Sequence, residues 1–342
     1  MRTVLVTGAS GFVAAHAIAR LLALGYEVRG TIRSLSRTPV VHGMLRHAGV
    51  DTSGVRLVVA DLLADEGWAE AVRGCDAVLH VASPFPVRNP KDHDELVVPA
   101  RDGTLRVLRA ARDAGVGRVV LTSSFAAVGY GHAPGKVLDE RDWTDPDTPG
   151  LSAYVRSKAI AERAAWDFVD TEGHGLELVA LNPVGIFGPV LGPDYSASTA
   201  IIARMLAGGL PVAPPASTNT VDVRDVADAL VTAMLSERAA GRRYLLAAGE
   251  PVSFAQIGRI LRRNLDRDAR RAPVVTVPGW LLRPAARIVP ALRASARQRG
   301  AIRRVDTTRA RTELGWAPRS NEEAITATGE SLLRLGLLEG SR

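Results

Sequence analysis

The feature that most constrains the fold is an alternation of short apolar runs with helical patterns between Thr3 and Leu181. This order predicts a parallel, doubly wound sheet of the α/β class. The runs are almost continuously apolar, as expected for strands that helices cover on both faces. The predicted strands are residues 3–7, 27–33, 55–60, 77–82, 118–122 and 176–181, and the predicted helices are residues 12–24, 65–72, 99–114 and a segment through 151–161.

A glycine-rich turn, TGASGFVA at residues 7–14, lies between the first predicted strand and the first helix. Gly8 and Gly11 allow a tight turn in which the backbone can approach a phosphate closely. The following helix presents unbonded N–H groups and the positive end of its dipole to that anion. Ala14 takes the third small position, which helix–strand packing tolerates. In this strand–turn–helix context the motif predicts a Rossmann dinucleotide-binding site.

After Asn182 the alternation loosens, because prolines and glycines break the chain into loops. Short pieces follow, and the last part of the chain reads as mostly helical with proline interruptions at 273, 278, 284 and 290. We therefore expect a smaller, mostly helical C-terminal substrate domain that closes a cleft over the strand ends. The shorter elements are predicted as helices at 198–207, 223–236 and 254–264, with strands near 220 and at 243–247. The predicted division assigns 1–182 and about 219–247 to the dinucleotide domain, and 183–218 and 248–342 to the substrate domain.

The end of the second strand discriminates between the two nicotinamide cofactors. A carboxylate there would bind the adenosine ribose 2′-OH and favour NAD. This chain instead has Arg33, followed by Ser34, Ser36 and Arg37. A guanidinium with hydroxyls nearby suits a 2′-phosphate, so we expect NADP(H). Asp61, at the end of the third strand, is expected to accept a hydrogen bond from the adenine amino group.

Tyr154 and Lys158 form a candidate acid–base pair, since residues four apart lie on one face of a helix. Free tyrosine has a pKa of about 10, and a neighbouring ammonium lowers it. The pair alone could be two surface residues in contact. Ser124, however, closes the fifth strand and is expected to face the same cleft, where its hydroxyl can orient a carbonyl oxygen.

Composition excludes several classes of protein. The 342 residues suffice for one large or two modest domains, and no run of ~20 uncharged apolar residues indicates a membrane span. The N-terminus has no signal-peptide pattern. The single cysteine, Cys75, allows no intramolecular disulfide, and the seven scattered histidines show no zinc-ligand spacing. We therefore expect a cytoplasmic protein without a metal site.

The net charge of +7 is unevenly spread, since fifteen arginines and no lysine lie between Arg259 and Arg311. Nucleic-acid binding is one explanation of such a stretch. A solvated arginine-rich face, or a basic mouth for an anionic ligand, is the alternative. No nucleic-acid-binding motif accompanies the arginines, so we expect no nucleic-acid partner.

The motifs together form a family pattern over nearly the whole chain. They are TGASGFVA, ADL at 60–62, HVASP at 80–84, VVLTSSFAAV at 119–128, YVRSKAIAE at 154–162, NPVGIFGP at 182–189, VDVRDVADA at 221–229 and ELGWAPR at 313–319. With them the chain resembles the extended short-chain dehydrogenase/reductases, and most of all the dihydroflavonol 4-reductase group with its microbial ketone and aldehyde reductases.

The resemblance implies Ser124, Tyr154 and Lys158 as the catalytic triad, with Ser124 rather than Ser123 in the site. It also implies Pro183 and Val184 beside the nicotinamide and Ser198 near a phosphate. One position departs from the pattern, because Ala100 stands where many extended members have an asparagine. The full set of predicted cofactor contacts is Thr7, Gly8, Ser10, Gly11, Phe12, Val13, Arg33, Arg37, Asp61, Leu62, Val81, Ala82, Ser83, Thr122, Tyr154, Lys158, Pro183, Val184, Ile186 and Ser198.

The expected reaction is reduction of a carbonyl by hydride from the nicotinamide C4. Tyr154 would donate a proton to the oxygen and Ser124 would hydrogen-bond it. Lys158 would lower the pKa of Tyr154 and hold the nicotinamide ribose. An apolar carbonyl substrate is expected from the predicted pocket, although its aromatic residues fit core packing equally well. The pocket residues are Ser83, Phe85, Phe125, Tyr130, Phe187 and Tyr195.

Two other functions remain open at this point. One is an NAD-dependent nucleotide-sugar epimerase or dehydratase, or a 3β-hydroxysteroid dehydrogenase, on the same scaffold; Arg33 and Ala100 argue against the epimerases. The other is a non-catalytic dinucleotide sensor, against which the Tyr154–Lys158 pair argues. A homodimer is one use of the apolar residues Ile160, Ala164, Ala165 and Trp166; packing on the sheet is the other.

Overall fold

The structure is a computed structural model that describes residues 2–84, 92–276 and 303–338. Within them a seven-stranded parallel sheet forms in the order β10-β7-β5-β4-β1-β2-β3. The predicted doubly wound architecture is confirmed. Its strands are β1 Thr3–Val6, β2 Glu27–Ile32, β3 Val55–Val59, β4 Ala77–His80, β5 Arg118–Thr122, β7 Glu177–Pro183 and β10 Arg242–Leu246.

Helices cover both faces of this sheet. α1 and α7 pack with the strands in one apolar core, and α3, α4 and α5 pack with them in another. The strand order reverses between β1 and β4, which is where ligands bind in open α/β sheets. The helices of this part are α1 Phe12–Ala23, α2 Thr38–His47, α3 Trp68–Val72, α4 Asp94–Asp113, α5 Ala153–Glu172 and α7 Val223–Leu235.

A second, smaller sheet stands beside the carboxyl ends of the large one. Its order is β11-β9-β8, with β8 and β9 parallel and β9 and β11 antiparallel. A third apolar core joins it to helices α6, α8 and α10 and includes Phe12 of α1. These elements are β8 Gly185–Phe187, α6 Ala197–Leu206, β9 Ser217–Asp222, β11 Ala248–Ser253, α8 Phe254–Leu265, α9 Thr308–Leu314 and α10 Asn321–Arg334; a two-stranded parallel sheet pairs β6 Val137–Leu138 with β12 Arg304–Val305.

Several expectations need correction. Helix α2 and strands β8 and β11 were not predicted, helix α4 begins five residues earlier than the predicted 99, and α3 begins at Trp68 rather than at 65. Pro99 lies inside α4 and so does not mark its start. The predicted proline interruptions at 278, 284 and 290 lie outside the described residues. None of the helices in the described part of the chain is long and apolar enough to cross a membrane.

Candidate active site

The glycine-rich turn brings the ends of β1 and β4 into close contact. Gly8 has φ +70°, and a Cβ built on it would lie 3.0 Å from the Ala82 Cβ. A side chain at this position would strain the backbone and crowd Ala82, so both observations favour glycine. The turn leads into α1, whose N-cap residue Gly11 offers no side chain to the first N–H groups of the helix. The turn thus has the close backbone approach and the unbonded donors that a phosphate site needs.

Thr7 joins the same two strands through its side chain. Its buried Oγ1 accepts hydrogen bonds from the backbone N–H groups of Val81 (3.0 Å) and Ala82 (2.9 Å), and it lies 2.9 Å from the His80 Nδ1. The Thr7 hydroxyl thus joins the end of β1 to the residues after β4, and its predicted contact with a cofactor stays a prediction.

The end of β2 carries two arginines in different states. Arg37 forms an ion pair with Asp194, whereas Arg33 is exposed and makes no ion pair with any described residue. Between them the Ser34 and Ser36 hydroxyl oxygens lie 2.9 Å apart. Arg33 is therefore the guanidinium that remains available to an anion beside this strand.

Asp61 and Leu62 follow β3. The Asp61 Oδ1 accepts from the Leu63 N–H at 3.1 Å, and its backbone oxygen accepts from the Trp68 Nε1 at 2.9 Å. Leu62 packs against Gly103 of α4, where a Cβ would come within 2.8 Å of the Leu62 Cβ.

Ser124, Tyr154 and Lys158 meet where β5, β4 and α5 converge. The Tyr154 hydroxyl donates to the Ser124 Oγ at 3.4 Å, and the Lys158 Nζ donates to the Ser83 Oγ at 3.0 Å. The same Nζ lies 5.9 Å from the centre of the Tyr154 ring. Ser152 caps α5 by accepting from the Val155 N–H, so the helix begins just before the tyrosine. The structure brings together all three side chains that the sequence singled out.

The pKa of Tyr154 differs from the expected direction. Burial raises the pKa of Tyr154, and the hydrogen bond to Ser124 opposes that rise only in part. Burial also lowers the pKa of Lys158 to about 8, while the carboxylate of Glu162 works in the opposite direction. Lys158 was expected to lower the pKa of Tyr154; in this structure burial of the phenol raises that pKa instead.

Thr122, at the end of β5, and the residues at the end of β7 complete this edge of the sheet. The buried Thr122 Oγ1 has no hydrogen-bond partner among the described residues. Pro183 and Val184 are buried, and the Val184 N–H donates to the Leu246 backbone oxygen at 3.1 Å. The other predicted cofactor contacts occupy the turn, the first turns of α1 and α6, and β8: Ser10, Phe12, Val13, Ile186 and Ser198.

The predicted pocket aromatics fall into two groups. Phe125 and Phe187 are buried in apolar cores, with only 7% and 1% of their surface exposed. Tyr130 and Tyr195 are partly buried; the Arg303 guanidinium lies 4.2 Å from the centre of the Tyr130 ring, and the Tyr195 hydroxyl donates to the Leu337 oxygen at 3.3 Å. Phe85 lies outside the described residues.

Behind the cleft lies a buried polar group that the sequence analysis did not identify, formed by Glu162, Arg243 and Asn182. The Arg243 Nε donates to the Glu162 Oε1 at 2.6 Å. Glu162 lies four residues after Lys158 on α5, and this helical spacing is the sequence signal from which its position near Lys158 could have been predicted. No local pattern connects it with Arg243. No group of three or more metal-ligating side chains occurs in the described ranges.

Comparisons with known proteins extend these observations. The model of the NAD dependent epimerase/dehydratase family matches residues 4–247. A cinnamoyl-CoA reductase of Medicago truncatula is 38% identical over 268 residues, which cover 76% of this chain and 79% of that protein. Dihydroflavonol 4-reductase of Zea mays is 32% identical over 248 residues, which cover 70% of this chain and 68% of that one. The crystal structure of the yeast methylglyoxal/isovaleraldehyde reductase Gre2 with NADPH superposes with a TM-score of 0.79 at 25% identity, covering 99% of this chain and 100% of that one.

Proposed function

This chain belongs to the NAD dependent epimerase/dehydratase family, in its extended short-chain dehydrogenase/reductase group, and from that premise we propose that it reduces ketones or aldehydes to alcohols. It is an oxidoreductase of CH–OH and C=O groups with NADP as its cofactor. The observation that carries the finer proposal is the approach of the Tyr154 hydroxyl to the Ser124 Oγ, 3.4 Å away, one helical turn from Lys158.

The residues present fit a dinucleotide with a 2′-phosphate. Gly8 permits close backbone approach, the first turn of α1 offers N–H groups, and Arg33 makes no ion pair with the described residues. Thr122 adds a buried hydroxyl in need of a partner. We assign the adenosine phosphate to Arg33 and the diphosphate to the turn from Gly8 to Gly11. When bound, NADPH supplies the hydride.

The protein's own part in the reaction is proton transfer and orientation. Tyr154 donates its phenolic proton to the carbonyl oxygen, and Ser124 fixes that oxygen by a hydrogen bond. The raised pKa of Tyr154 keeps the phenol protonated and therefore able to donate. Lys158 places a positive charge beside the phenol, where it stabilises the phenolate left after transfer.

The substrate is assigned to the space between this edge of the sheet and the loops after β7. Tyr130 and Tyr195, which are partly buried, support an apolar carbonyl compound. In this proposal 1–182 and about 219–247 hold the dinucleotide, and 183–218 and 248–342 hold the substrate. β10 fits that division as an edge strand of the large sheet, whereas β9 pairs within the small one.

The test is a panel of carbonyl compounds monitored by NADPH absorbance and repeated with NADH. It should include methylglyoxal, isovaleraldehyde, a dihydroflavonol, cinnamaldehyde and cinnamoyl-CoA. Consumption of NADPH with at least one ketone or aldehyde, faster than with NADH, is the expected result. Tight NADPH binding without any turnover would instead indicate a dinucleotide sensor. Bound NAD together with turnover of a UDP-sugar would indicate an epimerase or dehydratase.

A further inference from the structure

Glu162 is an ionisable side chain buried behind the candidate site, with 1% of its surface exposed. It follows Tyr154 by eight residues and Lys158 by four on α5, so the three side chains lie along one face of the helix. Burial of a carboxylate is costly unless charge and hydrogen bonds compensate it. The hydrogen-bond partners of Glu162 therefore indicate its role.

Four donors occupy the two oxygens of this carboxylate. The Oε1 accepts from the Arg243 Nε at 2.6 Å and from the Trp166 Nε1 at 3.4 Å. The Oε2 accepts from the Asn182 Nδ2 at 2.6 Å and from the Ser123 hydroxyl. The donors lie just after β5, on α5, in β7 and in β10, so this single carboxylate links the ends of three neighbouring strands to the helix.

The same contacts reach the backbone of Ser124. The Asn182 Nδ2 that donates to Glu162 also donates to the Ser124 backbone oxygen at 3.1 Å. Ser123, the preceding residue, is held by its own hydroxyl on Glu162 and by its N–H on the Leu181 oxygen at 2.9 Å. The strand end that presents Ser124 is therefore tied, through Glu162, to the helix that presents Tyr154.

Arg243 supplies the compensating charge and is itself held firmly. Its Nη1 donates to the backbone oxygens of Glu140 and Asp142, both at 2.9 Å, and its guanidinium lies 3.6 Å from the centre of the Trp143 ring. With 7% of its surface exposed, it is buried with its partner. A lysine could not provide this set of donors and the stacking at once.

We propose that Glu162, paired with Arg243, is a positioning residue that sets the Ser124 hydroxyl against the Tyr154 phenol and holds a negative charge beside Lys158. This inference rests on the proposed roles of Ser124, Tyr154 and Lys158. The charged and titratable groups around Lys158 are Glu162 and Tyr154 on its own helix and His80 on β4. Glu162 raises the pKa of Lys158 against the effect of burial, in line with the proposal.

A second ion pair with a buried carboxylate, although its arginine is 36% exposed, provides a control. Asp225 of α7, 3% exposed, accepts from the Arg319 side chain and from the Arg319 N–H at 2.7 Å. None of its contacts involves a residue assigned to the site. A purely structural role for Glu162 would make Glu162→Gln and Asp225→Asn equivalent in their effect on activity.

The experiment compares Glu162→Gln with Asp225→Asn in thermal stability, kcat, KM for NADPH and the pH dependence of kcat/KM. Both variants should lose stability. Glu162→Gln should lose about 10- to 100-fold in kcat, the size of effect that small misplacements of reacting groups produce, with KM for NADPH little changed. The alkaline limb of its pH profile should move to lower pH, because Lys158 loses the neighbouring negative charge. The Asp225→Asn variant should have the kcat of the wild type and the same alkaline limb in its pH profile.

Two further variants keep the test decisive if Glu162→Gln folds poorly. Glu162→Asp retains the charge and should leave the alkaline limb in place, and Ser123→Ala removes one of the four donors and should lower kcat about 2- to 10-fold. Unchanged kcat and pH profile in the folded Glu162 and Ser123 variants, or equal kcat losses in the Glu162 and Asp225 variants, would overturn the inference. Wild-type protein that reduces no carbonyl would instead overturn the proposed function and this inference with it.

Discussion

The proposed dinucleotide side, residues 1–182 and about 219–247, and the proposed substrate side, residues 183–218 and 248–342, are the first and second sides of the molecule, and they are built by different means. On the first side several proposed site residues lie within three residues of the end of a parallel strand: Gly8 after β1, Ser83 after β4 and Ser124 after β5. On the second side the loop after β8 is held by distant side chains. The Gly188 N–H donates to the Thr328 Oγ1 at 2.7 Å, and the Val190 N–H to the Ser331 Oγ at 2.8 Å. The proposed reaction is thus assigned to the strand ends of the large sheet, and substrate choice to loops held by side chains of α10.

The largest effect is expected from the tyrosine on the first side. Tyr154→Phe should lower kcat by about 10²–10⁴-fold, because the proton donor is lost, while NADPH still binds. Tyr195→Phe, on the second side, removes only a hydroxyl bonded to the Leu337 oxygen and should leave kcat nearly unchanged. Steady-state kinetics with NADPH titration measures both variants. Equal losses of kcat in the two variants would contradict the proposal that the reaction takes place on the first side alone.

A smaller effect is expected at the end of β2, where two arginines differ in their partners. Arg33→Ala should weaken NADPH binding about 10- to 100-fold and leave NADH binding unchanged, because a charge-assisted bond to the 2′-phosphate is lost. Arg37→Ala should have less effect, since that guanidinium is already paired with Asp194 from the second side. Titration of each variant with both cofactors measures the difference. A larger NADPH loss for Arg37→Ala would move the phosphate site to Arg37.

The pH dependence probes Lys158. Because burial lowers its pKa to about 8, the ammonium is present below that pH and is lost as pH rises through it. Above this pKa we expect kcat/KM to decrease with a slope that approaches about tenfold per pH unit, since the protonated lysine stabilises the phenolate. The Lys158→Arg variant stays charged, so its kcat/KM should show no such decrease at high pH, even if its kcat is lower. A wild-type profile that is flat to pH 10 would contradict the assignment.

The smallest effect on the reaction is expected when the hydrogen bond between the Gly188 N–H and Thr328, on the second side, is removed. Thr328→Val leaves the Gly188 N–H without its acceptor and should cost about 1–3 kcal/mol of stability. It should raise KM for the carbonyl substrate and leave kcat and NADPH affinity unchanged. Thr312→Val is the matched control, because the Thr312 hydroxyl bonds only within its own helix. A fall in kcat for Thr328→Val would show that the two sides are not independent.

The two sides also differ in how well the sequence predicted them. The large sheet and the meeting of Ser124, Tyr154 and Lys158 were predictable, because buried strands, glycine turns and helical spacing are local patterns. In the small sheet only β9, the strand predicted near 220, was found from the sequence, since β8 has three residues with Gly185 at its start and β11 contains Gly249 and Pro251. The ion pair of Glu162 with Arg243 joins residues 81 positions apart, and the pKa of Tyr154 depends on burial by the whole fold. Neither is encoded in a local pattern.

The fastening of Gly188 by Thr328 has a consequence for how the protein is made. The two residues are 140 positions apart, and α10 is the last helix of the described chain. At about 5–20 residues per second, a ribosome needs roughly 7–28 seconds to travel from one to the other. During that interval β10 and Arg243 are also synthesised, whereas the loop after β8 still lacks its anchor. All seven strands of the large sheet therefore exist as polypeptide before Thr328 can hold this loop in place.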